Sequence, residues 1–180
     1  MAEAFSNSLT RAVGIVTTNS AGAIGVTTNK ITGISTVGVT LGDIVDNTNY
    51  LAGTKISTIG AGEVVVDRNS TNTASASSQS VKFLGVTSCY TAPTASTKAI
   101  LIGGTFANNT LNSVNLTVEI YDNSASVAAQ LASKIPVPSG SSFVISDAGK
   151  TVLESQDVIR VYCDTSNAID VNMSILTGVS

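Results

Sequence analysis

Along most of the chain, apolar and polar residues alternate one by one. Val114, Leu116, Val118 and Ile120 are interleaved with Asn115, Thr117, Glu119 and Tyr121. Ile169, Val171, Met173 and Ile175 alternate with Asp170, Asn172 and Ser174, and Ile159, Val161 and Cys163 with Arg160 and Tyr162. Successive side chains of a strand point to opposite faces, so this period of two predicts strands with one buried and one wet face. Shorter β-branched runs bounded by turn residues add strands over 55–59, 63–68, 81–84, 99–102 and 141–146. Only residues 125–134 (ASVAAQLASK) have helix-forming composition, and Pro136 and Pro138 confine a helix there to a turn or two.

A weak repeat marks the N-terminal half. Val13-Gly14-Ile15-Val16-Thr17-Thr18-Asn19 is echoed by Ile24-Gly25-Val26-Thr27-Thr28-Asn29 and again by Val37-Gly38-Val39-Thr40. A spacing of about a dozen residues suits short strands joined by tight turns. The small polar stretch 69–80 (NSTNTASASSQS) reads as an exposed loop, and a second polar stretch over 87–97, containing Pro93, separates two halves. The expected fold is therefore all-β. An N-terminal arm over 1–12 leads into a small β-module, meander or barrel-like, over 13–85. A β-sandwich of jelly-roll or immunoglobulin-like type follows over 86–180. Within it, Pro136, Pro138 and Gly140 predict a stiff connection between the two sheets. Removal of residues 1–85 is expected to leave the sandwich folded.

Composition narrows the function classes. Hydrophobic residues make up 43% of the 180 residues, enough for a real core, but charged residues only 12%, about half the usual ~25%. Such a surface, rich in small hydrogen-bonding groups, is cheap to desolvate against another protein. The net charge is −3 with nine Lys and Arg in total, and no basic run exists. That excludes the electrostatic footprint of a nucleic-acid binder or of a reader of anionic membranes. The opening MAEAFSNSLT lacks a basic start followed by an apolar stretch, so no signal peptide is expected. Nor is there a run of about 18 apolar residues that would span a membrane. Assembly in a cytoplasm is expected, with Cys89 and Cys163 as buried free thiols.

The chain has no histidine, which removes the usual general base, the Ser-His-Asp and Cys-His nucleophile systems and most transition-metal sites. Glu3, Glu63, Glu119 and Glu154 are scattered, aromatics are 4% and Trp is absent, so neither a glycosidase cleft nor a sugar-stacking platform is expected. Residues 43–49 (DIVDNTN) and Asp122-Asn123-Ser124 gather oxygen ligands but lack the calcium-loop pattern. They read as turn formers bonding their own backbone. No catalytic, cofactor-binding or metal-ligating residue is expected, and no small-molecule substrate. The candidates are contact residues instead. Phe5 and Leu9 would anchor the arm, and Val13, Ile15, Ile24 and Val26 would line glycine-thinned strands. Between residues 12 and 44 only Lys30 and Asp43 are ionisable.

Two stretches carry a resemblance. Residues 36–68 (TVGVTLGDIVDNTNYLAGTKISTIGAGEVVVDR) resemble a small β-module frequent in phage structural proteins, with strands over 41–45, 52–59 and 64–67. The second half resembles a phage virion sandwich opened by Tyr90-Thr91-Ala92-Pro93. It continues with a turn over 135–142 (IPVPSGSS) and a strand over 153–161 (LESQDVIRV). The chain as a whole is similar to structural proteins of tailed bacteriophages, those of marine cyanobacterial phages included. The resemblance implies a non-enzymatic virion component: a capsid decoration or cement protein, or part of the neck or tail. It would be located in the virion, assembled in the host cytoplasm, with copies of itself and other virion proteins as partners. The alternative is an adhesion or receptor-binding module at the virion surface, associated with a tail fibre or tip. That function calls for an exposed aromatic or charged hot spot, which the sequence does not display.

Overall fold

The computed structural model describes residues 3–94, 98–146 and 150–179. Among them it holds fifteen strands and no helix. In chain order they are β1 (Ala4–Val13), β2 (Ile15–Ile24), β3 (Lys30–Thr32), β4 (Ile44–Asp46), β5 (Ile56–Gly60), β6 (Glu63–Val66), β7 (Ala76–Gly85) and β8 (Thr87–Thr91). Then come β9 (Lys98–Asn108), β10 (Val114–Asp122), β11 (Val127–Val137), β12 (Ser142–Ile145), β13 (Thr151–Leu153), β14 (Val158–Cys163) and β15 (Ile169–Val179). The helix expected over 125–134 is absent; that segment lies mostly in β11. Its alanines pair with β10, Ala129 opposite Ile120 and Ala132 opposite Val118, and Ala132 is buried in the core. Cross-strand pairing here overrides a local helix preference of a few tenths of a kcal/mol per residue.

The chain forms two compact units, one of residues Met1–Gly14 and Thr87–Ser180, the other of Ile15–Val86. The first unit is a sandwich. One sheet runs β1-β15-β9-β12, with β13 also on β9, and the other runs β8-β14-β10-β11. β12 and β13 pair with successive stretches of β9 and so act as two halves of one strand. Eight strands numbered in chain order then give sheets 1-8-3-6 and 2-7-4-5, which is the jelly-roll arrangement. Phe106, Leu116, Leu153, Ile159 and Met173 fill the space between the sheets. The turn 138–141 carries the chain from β11 in one sheet to β12 in the other. It is closed by Ser141 N–H donating to the Pro138 carbonyl at 3.2 Å, with Gly140 at a φ of 67°.

The expected arm is corrected. Residues 4–13 are the first strand of the jelly roll, paired with β15 from Ala4 opposite Thr177 to Val13 opposite Ile169. Removal of residues 1–85 would therefore strip an edge strand from the sandwich. At Gly14 the chain leaves this unit with a φ of 126°. A Cβ there would strike the Thr165 carbonyl and lie 2.8 Å from Cys163 Sγ, so only glycine fits. The chain returns at Thr87, which makes the second unit an insertion between the first two strands of the jelly roll.

The inserted unit is a six-stranded sheet of order β4-β7-β2-β3-β6-β5 that closes on itself. Ile44 bridges Lys55, Val45 N–H donates to the Thr54 carbonyl at 2.8 Å, and Ile56 N–H to the Asp43 carbonyl at 3.0 Å. Ile24, Ile31, Val64, Val66, Val81 and Phe83 pack inside this small barrel. The sequence repeat does not become three equivalent strands. Its first copy straddles the end of β1 and the start of β2, its second runs off β2 into a turn, and its third lies in turns. Residues 69–80 are likewise not one exposed loop. β7 begins at Ala76, and Ser70 is buried, its Oγ accepting from Thr28 N–H at 3.0 Å and donating to the Gly25 carbonyl at 3.0 Å. Thr87–Thr91, expected to be linker, is β8, while residues 95–97 lie outside the described residues.

Candidate interaction surface

The oxygen-rich segments are turns. Asp43 accepts from Thr40 N–H at 2.8 Å and from Thr40 Oγ1 at 2.6 Å, and Asn47 Oδ1 accepts from Asn49 N–H at 2.8 Å. Asp122 accepts from Ser124 Oγ at 2.7 Å and Ala125 N–H at 2.9 Å. Hydrogen bonds from Ala125 and Ser124 hold its carboxyl below the usual carboxylate range. No three Cys, Asp or Glu side chains among the described residues converge as a metal site would require. Burial pushes both thiols, Cys89 and Cys163, up to about 11, so neither is a thiolate near neutral pH. Glu119 lies 3.8 Å from Arg160 Nη1, and that guanidinium stacks 3.6 Å over the Tyr121 ring, a structural ion pair on the β10–β14 ladder.

The informative surface is the outer face of the β1-β15-β9-β12/β13 sheet. Strand β1 has an inverted pattern. On the side toward the other sheet, Ser8 and Thr10 are half-buried and Ser6 is exposed, and Ser8 Oγ donates to the Cys89 carbonyl at 2.8 Å. The alternate positions put Phe5 and Leu9 into solvent at 78% and 72% exposure. The registers extend each outward across the sheet. Phe5 lies opposite Leu176, Leu176 opposite Ile100, and Ile100 opposite Val152. A second row runs Leu9, Asn172, Thr105, Val144. Between them lie Asn7, Ser174 and Gly103. Val152 and Val144 are exposed, and Leu176 and Ile100 half-buried. No charged side chain stands in these rows. Charges bound them: Glu3 and the Lys98–Glu154 pair, 2.9 Å apart, at one end, Arg11 and Asp170 at the other. Four strands by five residues give an uncharged area on the order of 300 Å², in which apolar Phe5, Leu9, Leu176, Ile100, Val152 and Val144 are interspersed with Asn7, Asn172, Thr105 and Ser174.

Of the six contact candidates, Phe5 and Leu9 lie on this face, and Ile15 and Val26 are exposed on the barrel. Val13 and Ile24 are corrected: they are 2% and 1% exposed and serve the two cores. Val13 ends β1 after the register shift that follows Thr10, which turns its side chain inward. Ile24 stands opposite Ile31 inside the barrel. Val144, Val152, Ile100 and Leu176 were not among the candidates. Residues 99–102 read as a plain apolar run, and only the cross-strand register shows which of them face outward. Leu111, 93% exposed at the β9–β10 turn, also escaped a reading based on periodicity.

No family model matches the chain, and no curated protein does. Among solved structures, a chain in the structure of infectious bursal disease virus, Gx strain, is similar at 9% sequence identity and a TM-score of 0.35. The match covers 92% of this chain and 57% of that one. This chain thus spans little more than half the length of the chain it matches.

Proposed function

We propose that the chain is a non-enzymatic structural protein of a virion, acting by packing on neighbouring subunits. The observation that carries this reading is the uncharged outer sheet face with Phe5 and Leu9 held in solvent on β1. A ladder-paired strand that turns serines inward and its large apolar residues outward gains nothing for its own core, so its benefit lies in a neighbour. Two further features support it. The jelly roll is an architecture recurrent in viral capsids, a fold-level analogy. A surface with so few charges is easily desolvated. Within the virion, the reading is a decoration or cement protein of the capsid, or a protein decorating the neck or tail of a bacteriophage. Copies of the chain and other virion proteins are its partners.

The test is an antibody against the chain applied to purified particles, with copy number measured by quantitative mass spectrometry. Symmetric labelling with hundreds of copies supports a capsid or tail-tube position, and a handful of copies a neck or tip. A chain missing from purified particles, made in the infected cell but never incorporated, overturns the proposal.

A further inference from the structure

We infer that two copies of the chain join edge to edge through β1, antiparallel about a two-fold axis at Asn7, so that one sheet runs through both. This rests on the reading above, that the chain assembles with its neighbours, and names the surface and the partner.

The first observation is a comparison of sheet edges. An open edge is a template for another strand, and folded chains blunt it with short strands, bulges, prolines or charges. In the inserted unit the edges are consumed by closure, through the Ile44–Lys55 bridge. In the jelly roll, β8 has five residues, with Pro93 close behind. β11 carries two register shifts and Pro136. β12 and β13 have four and three residues. β1 is the exception. It keeps an unbroken register with β15 from Ala4 to Thr10, and no strand pairs with its other side among the described residues. It contains no proline and no lysine, and its irregularity begins only after Thr10.

The second observation is the order of side chains along that edge. Within the regular ladder the outward alternate positions are Phe5, Asn7 and Leu9, all exposed; exposed Glu3 stands just before the strand and exposed Arg11 just after Thr10, where the register shifts. Reversed against itself about Asn7, this series matches. Glu3 falls opposite Arg11 of the other copy, Phe5 opposite Leu9, and Asn7 opposite Asn7. The inward positions pair as Ala4 with Thr10 and Ser6 with Ser8, small groups that neither clash nor bury a charge. Directly opposed residues are the unit of sheet stabilisation, and opposite charges and aromatic–aliphatic pairs are favourable combinations. A strand complementary to its own reverse gives an isologous contact, the same patch on both partners, which closes as a dimer. The ladder supplies the affinity, as in other strand-addition interfaces, and the side-chain order supplies the register.

The test uses the full chain. Under mild oxidation Asn7→Cys should form a disulfide-linked dimer. Phe5→Cys alone should not, because its two copies stand four residues apart in this register, while Phe5→Cys with Leu9→Cys should. Cys89 and Cys163 are buried and give a low background. In sedimentation, Glu3→Arg or Arg11→Glu should weaken the dimer about tenfold, by replacing two attractive pairs with two repulsive ones. The double exchange should restore it. Cross-linking indifferent to position, or a double exchange that restores nothing, overturns the pairing. If an oligomer persists through those changes, the assembly reading stands without this interface. A chain monomeric at high concentration overturns the pairing, and if it is also missing from particles, both readings fall.

Discussion

Replacing Asn108 by alanine should loosen the end of the jelly roll where β9 passes into β10. The Asn108 side chain is buried and uses both its atoms. Its Nδ2 donates to the carbonyls of Asn112 at 2.7 Å and Val137 at 2.9 Å. Its Oδ1 accepts from Thr110 N–H and Thr110 Oγ1, both at 2.8 Å. The Thr110 and Asn112 groups are near solvent and regain water when the amide is gone, so those bonds are each worth about 0.5–1 kcal/mol net. The Val137 carbonyl lies deeper, and leaving it without Asn108 costs about 1–2 kcal/mol. Ser113 Oγ, already 3.5 Å away, can partly replace it. The terms sum to about 2.5–5 kcal/mol, the Ser113 replacement favouring the lower end, or a fall in melting temperature of roughly 10–25 °C for a unit of this size. Urea titration followed by circular dichroism measures it. Asn108→Asp sharpens the test, because it keeps the shape but turns a carboxylate oxygen toward two carbonyls. That carboxyl binds its proton more tightly folded than unfolded, so the Asp variant should lose stability as pH rises through its raised pKa. At neutral pH it should be at least as damaged as the alanine. An alanine variant within about 0.5 kcal/mol of the parent, the usual range for an inconsequential surface change, would refute the reasoning, as would an aspartate variant indistinguishable from the parent at pH 7.

Excising Ile15–Val86 and joining Gly14 to Thr87 through a short Gly/Ser linker should leave a cooperatively folding jelly roll, because Ile15 and Gly85 are register partners and the gap is narrow. Deleting 1–86 instead should expose the edge of β15 and give aggregates by light scattering; equal behaviour of the two would contradict the placement of β1. Both cysteines should react slowly with a thiol reagent at pH 8 in the native protein and quickly in denaturant, since burial raises both to about 11. Fast native labelling of either would show that its strand opens. The Tyr50 hydroxyl, pushed up to about 12 by burial, holds its proton longer folded than unfolded. The barrel should therefore lose stability as pH climbs from 10 toward 12, followed by ultraviolet difference absorbance during denaturation; ionisation of all four tyrosines near 10 in the native protein would count against it.

The strands with strict alternation, β10, β14 and β15, were legible in the sequence, because one face meets the core and the other does not. The barrel-like module was legible in outline, and the two-sheet connection at 138–141 from its prolines. What local pattern could not supply was pairing across distance. β11 reads as helix until its alanines are set opposite Ile120 and Val118. β1 reads as a loose arm because its inward residues are serines, whose place in a strand is fixed by the partner β15. For the surface, Phe5 and Leu9 could be picked out as large apolar residues of the N-terminal stretch, but Val144 and Val152 join them on one face only through the register of β9.

The pairing of β1 with β15 also sets a clock. Ala4 and Thr177, in contact in the folded chain, are separated by 173 residues. A ribosome adding roughly 5–20 residues per second needs on the order of 10–30 s to supply the second after the first. The inserted barrel can fold during that interval, since every strand of its sheet comes from Ile15–Val86. The first strand of the jelly roll meanwhile waits without its mate, held at one end by an already finished barrel. Folding of the larger unit is thus paced by synthesis of its last strand, and its rate on refolding from denaturant should be limited by the closure of that one long loop.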